Sequence, residues 1–184
     1  MPQTLHWFKW EAALTWLTGI LLFALLYYHG SNLISFEDSI LSKSTAIWLS
    51  VGMMVVGWVI YDLWWNICKS EIVGVVVSFI LIVVAAWVAC HYFSGRGAFL
   101  QIGAMMGTIM AANVWMRILP PQRRMVAALK EGREPDLVEA ARAKARSKHN
   151  SFIVIPVVFT MISNHYALFT NAKWNWLVLM AIAL

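Results

Sequence analysis

Charge is scarce in this chain of 184 residues, where 12% of positions are Asp, Glu, Lys or Arg and 61% are hydrophobic. That balance excludes an ordinary soluble domain and marks a membrane protein. Cysteine is nearly absent as well. Cys68 and Cys90 fall near the ends of different apolar runs, and neither belongs to a C-x-x-C or C-x-x-C-H pattern. No disulfide framework, zinc site or covalently attached haem c can be read from them. The apolar runs lack the period-2 alternation of a transmembrane barrel, and lipid satisfies no backbone hydrogen bonds, so a helical bundle is the architecture left. The opening "MPQTLHWFKWEAALTW" has no signal-peptide n-region or small-residue cleavage site, so its apolar continuation reads as a permanent helix. The excess of 14 Lys and Arg over 9 Asp and Glu is concentrated in one short segment between apolar runs. That is a signature of membrane topology rather than of nucleic-acid binding.

Apolar runs long enough for a bilayer core of about 30 Å are expected at 12–28, 45–61, 72–91, 98–119 and 151–169, and a truncated sixth begins at 174–184. The fold expected is thus an all-α integral membrane domain over 1–184, with five full spans and a partial one. Gly103 and Gly107 in "GAMMG" form a small-xxx-small pair suited to close helix packing. Trp7, Trp10, Trp64, Trp65, Trp174 and Trp176 cluster at span ends, where an aromatic belt sits. The segment 120–150 is by far the most basic, carrying Arg123, Arg124, Lys130, Arg133, Arg142, Lys144, Arg146 and Lys148. It is expected to be cytoplasmic, with Gly132 ending one short amphipathic helix and Pro135 starting a second. Alternating the spans from there puts the N-terminus inside and leaves only Lys43, Arg96 and Lys173 outside.

Ionisable groups inside spans are costly and are functional candidates by default. Glu11 beside Lys9 also reads as an interfacial pair on a helix end, and Asp62 and Arg117 lie at inner span ends where water is close. His29 reads as a loop residue. His149 and His165 bracket "HNSFIVIPVVFTMISNHY", an apolar run with an Asn next to a His at each end. Sixteen residues of helix set the two imidazoles about 24 Å apart, so they cannot share one metal. Each is expected to pair at its own level, His149 with His6 and His165 with His91. Such pairs suit the axial positions of a b-type haem, with His149 and His165 as the iron ligands on this helix. Capping of helix ends by the same Asn and His residues is the alternative. Pro156 predicts a kink or a freed carbonyl in mid-span.

The stretches "LHWFKWEAALTWLTG", "FSGRGAFLQIGAMMGTIMAANVW", "QRRMVAALKEGREPD", "HNSFIVIPVVFTMISNHY" and "WNWLVLMAIAL" follow one another over nearly the whole chain. In that order they resemble the membrane domain of bacterial membrane-bound urate oxidase. Family members usually begin earlier, with a further His-containing helix, and many end in a cytochrome c domain. Where the family has Tyr and Pro, this chain has Phe152 and Ala167. The resemblance implies oxidation of urate to 5-hydroxyisourate in the bacterial inner membrane, with electrons passing to cytochrome c and a respiratory oxidase. It points to His6, Glu11, His91, Asn150, Asn164 and His165 as family-like positions, of which Glu11, Asn150 and Asn164 are the catalytic candidates. The partners implied are membrane lipid, a cytochrome c domain or protein, and urate; nucleic acid is not among them. The competing reading is a non-enzymatic membrane anchor or assembly subunit for a separate redox protein. A transporter is disfavoured, because no inverted repeat or helix broken at mid-membrane is visible.

Overall fold

The computed structural model describes residues 3–34, 40–163 and 165–183, without the side chains of 3–6, 8, 182 and 183. The described chain is helical throughout and contains no strand. Helix α1 (Gln3–Phe23) continues through a π-helical turn at Ala24–His29, and α2 (Lys43–Ile67) and α3 (Glu71–Tyr92) follow. Helix α4 (Gly95–Ala112) passes through a second π turn at Asn113–Ile118 into α5 (Leu119–Lys130). The chain then forms α6 (Leu137–Ser163), the single turn α7 (Ala167–Thr170) and α8 (Asn175–Ala183). Serine caps start three of these helices: Ser42, Ser70 and Ser94 each accept a hydrogen bond from the amide three residues on.

Among the described residues four helical stretches are long and apolar enough to cross a membrane: Lys9–His29, Lys43–Ile67, Glu71–Tyr92 and Gly95–Lys130. Their exposed faces are what lipid would wet. On α3, Ile72, Val73, Val75, Val76, Ile80 and Val84 all point outward, and aliphatic side chains of that kind are stable there only in an apolar medium.

Helix α4 is the centre of the bundle, in contact with α1, α2, α3, α6 and α7. Small residues let the neighbours close on it. A Cβ at Gly103 would stand 2.3 Å from Thr160 Oγ1 of α6, so this glycine sets the α4–α6 approach. Gly107 meets nothing within 4 Å, so of the expected small-residue pair only Gly103 does this work. Phe99, Ile102 and Met106 fill the remaining space as fully buried side chains. Polar ties also run between the helices, one of them inside this core. The Gln101 amide donates to the Ser50 carbonyl at 2.9 Å while the Ser50 hydroxyl donates back to Gln101 Oε1, and Tyr28 bonds Ser50 at 2.7 Å. At the exposed α1 side, Trp16 Nε1 donates to Thr108 at 3.0 Å.

The basic segment is built differently from the pair of short interfacial helices anticipated. Its first helix prolongs α4, and its second, from Leu137, runs without interruption into the apolar half of α6. Pro120 and Pro121 lack the amide protons that would bond the carbonyls of Met116 and Arg117, which accounts for the wide turn just before them. The first turn, at Ala24–His29, contains no proline. Gly132, at φ +70°, ends α5 in the left-handed conformation, and Asp136 caps α6 by accepting from the amides of Val138 and Glu139. Arg124 and Glu139, bonded twice at 2.9 and 3.0 Å, clip the two helices together. Pro156 lies inside α6 without ending it.

Candidate functional site

The inner face of α6 meets α2 and the π turn of α4 at the basic end of the bundle, and there the polar side chains converge. Asp62 of α2, a buried carboxylate, is shared by two guanidinium groups. Arg117, from the π turn, bonds both carboxylate oxygens, and Arg146 of α6 donates at 3.1 Å to Oδ1 and at 3.1 Å to the Asp62 carbonyl. Asn66, one turn along α2, donates to Asp62 Oδ2 at 3.2 Å and accepts from Arg146 at 3.3 Å. The two arginines are not equivalent. The Arg146 side chain is 6% exposed and that of Arg117 is 40% exposed, so the burial cost falls mainly on Arg146.

Directly beside this ion cluster lies an aromatic and amide layer. The Arg146 guanidinium sits over the Tyr61 ring, 4.9 Å from its centroid. The Tyr61 hydroxyl bonds His149 Nδ1 at 2.8 Å and accepts from the Asn113 amide at 3.0 Å. Asn113 also donates to Asn150 Oδ1 at 2.9 Å, and Asn150 donates to the Met110 carbonyl at 3.0 Å. The Trp65 ring packs at 4.1 Å from the His149 ring. The Tyr61 hydroxyl thus links Asn113 to His149, and the imidazole tautomer sets which of the two donates in the Tyr61–His149 bond. Burial, reinforced by the charge of Arg146, pushes the His149 pKa down to about 4, so the ring is neutral at physiological pH.

Three buried side-chain atoms have no hydrogen-bond partner among the described residues: Trp58 Nε1, Asn113 Oδ1 and Arg146 Nη1. Two of the three belong to this cluster, one an acceptor and one a cationic donor.

Of the residues singled out in the sequence, His149 and Asn150 are brought together here. Glu11 lies exposed on α1. His91 is exposed at the opposite end of the bundle, stacked on Trp87 at 5.3 Å, and His165 is exposed in the turn after α6. The side chain of His6 and residue Asn164 lie outside the described residues. An axial haem ligand must offer a nitrogen lone pair to the iron. The imidazole of His149 is bonded at Nδ1 by Tyr61 and packs against Tyr61 and Trp65, and no second imidazole meets it among the described residues. Among the described residues no group of three or more His, Cys, Asp or Glu is placed to hold a metal ion.

Sequence reasoning passed over Tyr61, Asn66 and Asn113, and treated Asp62, Arg117 and Arg146 as solvated charges at a membrane face. One signal was present: Asn113 is a carboxamide in the middle of an apolar run, a position where an unpaired polar group is costly.

Compared with known proteins, residues 1–184 match the family model described as urate oxidase N-terminal. No curated protein and no solved structure matches the chain.

Proposed function

The chain belongs to the urate oxidase N-terminal family, and from that premise we propose that it is the membrane part of an oxidoreductase that converts urate to 5-hydroxyisourate. The reaction adds water and removes two electrons and two protons, so it needs an electron acceptor, and the acceptor proposed is ferricytochrome c, two per urate. The observation that carries the reading is the family match along the whole length of the chain. The buried ion cluster at Asp62 supports it, since charges withdrawn from water in a membrane bundle are expensive to maintain for structure alone.

The sidedness belongs to the same proposal. The basic segment 120–150 faces the cytoplasm of a bacterial inner membrane, which puts the Asp62 cluster at the cytoplasmic surface. Helix α6, apolar from Ser151 to Ser163, makes a fifth crossing, and α8 contributes a partial sixth.

The test is direct. Protein purified in detergent is mixed with urate and ferricytochrome c, and urate loss is followed by absorbance with 5-hydroxyisourate sought as the transient product. Urate consumed in step with cytochrome c reduction supports the reading. A protein that co-purifies with a redox partner but leaves urate untouched is instead an anchor.

A further inference from the structure

Glu71 opens α3, one of the stretches long and apolar enough to cross a membrane, and its carboxylate meets Lys148 of α6 at the basic end of the bundle. Both partners stay open to their surroundings, the Lys148 side chain 55% exposed and that of Glu71 64% exposed. The bond is made through Oε1 alone, so among the described residues Oε2 of Glu71 and two of the three N–H groups of Lys148 are unused. Beside the pair, an open groove of about 280 Å³ is lined by Glu71, Ile72, Val75 and Val76. Its three aliphatic side chains are exposed, and the aliphatic face continues along α3 through Ile80 and Val84. Trp65 of α2 holds this corner in place. Its Nε1 donates to Ser78 of α3 at 3.0 Å, and its ring packs 4.1 Å from that of His149, the residue after Lys148.

Charge at the end of a span followed by an open apolar groove is the order of groups in a phospholipid, with the head at the membrane boundary and the acyl chains below it. The two charges select the head. Lys148 can donate to a phosphate oxygen, and Glu71 Oε2 can accept from a cationic N–H. A primary ammonium next to a phosphate answers both at once. A choline head carries the positive charge but no N–H, and a glycerol head carries hydroxyls but no positive charge. Lys69 and Lys144, exposed and without a carboxylate partner among the described residues, attract the phosphate of any phospholipid. Glu71 is therefore the group that tells one head from another.

We propose that Glu71 and Lys148, with the groove along Ile72, Val75 and Val76, form a binding site for a phospholipid whose head carries a primary ammonium beside its phosphate. Lys148 holds the phosphate, Glu71 holds the ammonium, and the groove takes the first part of an acyl chain. The site does not depend on the urate reading, which stands or falls separately.

The experiment titrates the full chain in a neutral detergent with dioleoyl phosphatidylethanolamine, phosphatidylcholine or phosphatidylglycerol and counts bound lipid by native mass spectrometry. The wild type should bind the ethanolamine lipid about threefold more tightly than either of the others, the discrimination that one exposed charge contact supplies. Glu71→Gln keeps the size of the side chain and removes its charge. It should bring the ethanolamine lipid down to the level of the choline lipid and raise the glycerol lipid. Lys148→Gln should weaken all three by a similar factor of about threefold, and Ile72→Ser, in the groove, should also weaken all three alike. All three positions are exposed, so helical circular dichroism should match the wild type in each variant. Equal affinity of the wild type for the three lipids overturns the proposal, as does a preference for the glycerol lipid, which would reduce the site to a general attraction of lysines for anionic lipid. An ethanolamine preference that survives Glu71→Gln overturns it as well.

Discussion

Asp62→Asn isolates the energetics of the buried charges. The change keeps the volume of the side chain and its ability to accept a hydrogen bond, but it removes the one negative charge shared by Arg117 and Arg146. Losing one member of a buried ion pair costs about 3–5 kcal/mol, because the partner is left buried and uncompensated. An exposed pair is worth about 1 kcal/mol or less. The 6% exposure of Arg146 puts its share in the first class, and the 40% exposure of Arg117 puts its share close to the second. We therefore expect Asp62→Asn to destabilise by about 3–4 kcal/mol and Arg117→Met by about 1 kcal/mol. Adding Arg146→Met to Asp62→Asn should recover about 2 kcal/mol by removing the stranded cation. The assay is unfolding of the detergent-solubilised protein with increasing SDS, followed by loss of helical circular dichroism. The reasoning is refuted if Asp62→Asn costs under about 1 kcal/mol, or if Arg117→Met costs as much as Asp62→Asn.

Three further outcomes are expected. Gly103→Ala should destabilise by about 1–3 kcal/mol, because the new methyl meets Thr160 at 2.3 Å, whereas Gly107→Ala, with open space around it, should be neutral or slightly stabilising in the same unfolding assay. Tyr61→Phe removes a hydroxyl bonded to both His149 and Asn113 and should cost about 1–3 kcal/mol, with most of the loss absent when the change is made on a His149→Phe background. Stability should also fall with acid. His149 titrates at about 4 in the folded protein against an ordinary 6.5, so below pH 6.5 the unfolded chain takes up a proton that the folded chain refuses. The contribution is complete above 6.5 and is lost as pH drops toward 4, about 1–2 kcal/mol after allowance for solvent at a half-buried ring. His149→Gln should flatten that part of the pH profile, and an unchanged profile would contradict the depressed pKa.

The helices themselves were legible because a bilayer sets their length, and the four longest apolar stretches coincide with spans expected from hydropathy alone. The basic segment was misjudged for a physical reason. Its charges set the local hydropathy, but Ala143 and Arg146 turn one face of the same helix inward, so a stretch that averages as polar is half core. Periodicity of that kind is weak when the inward residue is itself an arginine. The "HN" pair at 149–150 led to the site because its residues are chemically unusual next to an apolar run. Its partners did not stand out. Tyr61 reads as an ordinary belt aromatic, and Asn113 and Arg117, four residues apart on one helix face, meet α2 and α6 only through tertiary packing that a linear sequence does not display.

The deciding measurement is urate oxidation without oxygen. Under anaerobic conditions, with ferricytochrome c as the sole acceptor, the purified protein should consume one urate for every two cytochromes reduced and form no hydrogen peroxide. Urate consumption that requires oxygen and releases peroxide would contradict the proposed electron route, and no urate consumption with either acceptor would contradict the proposed function itself.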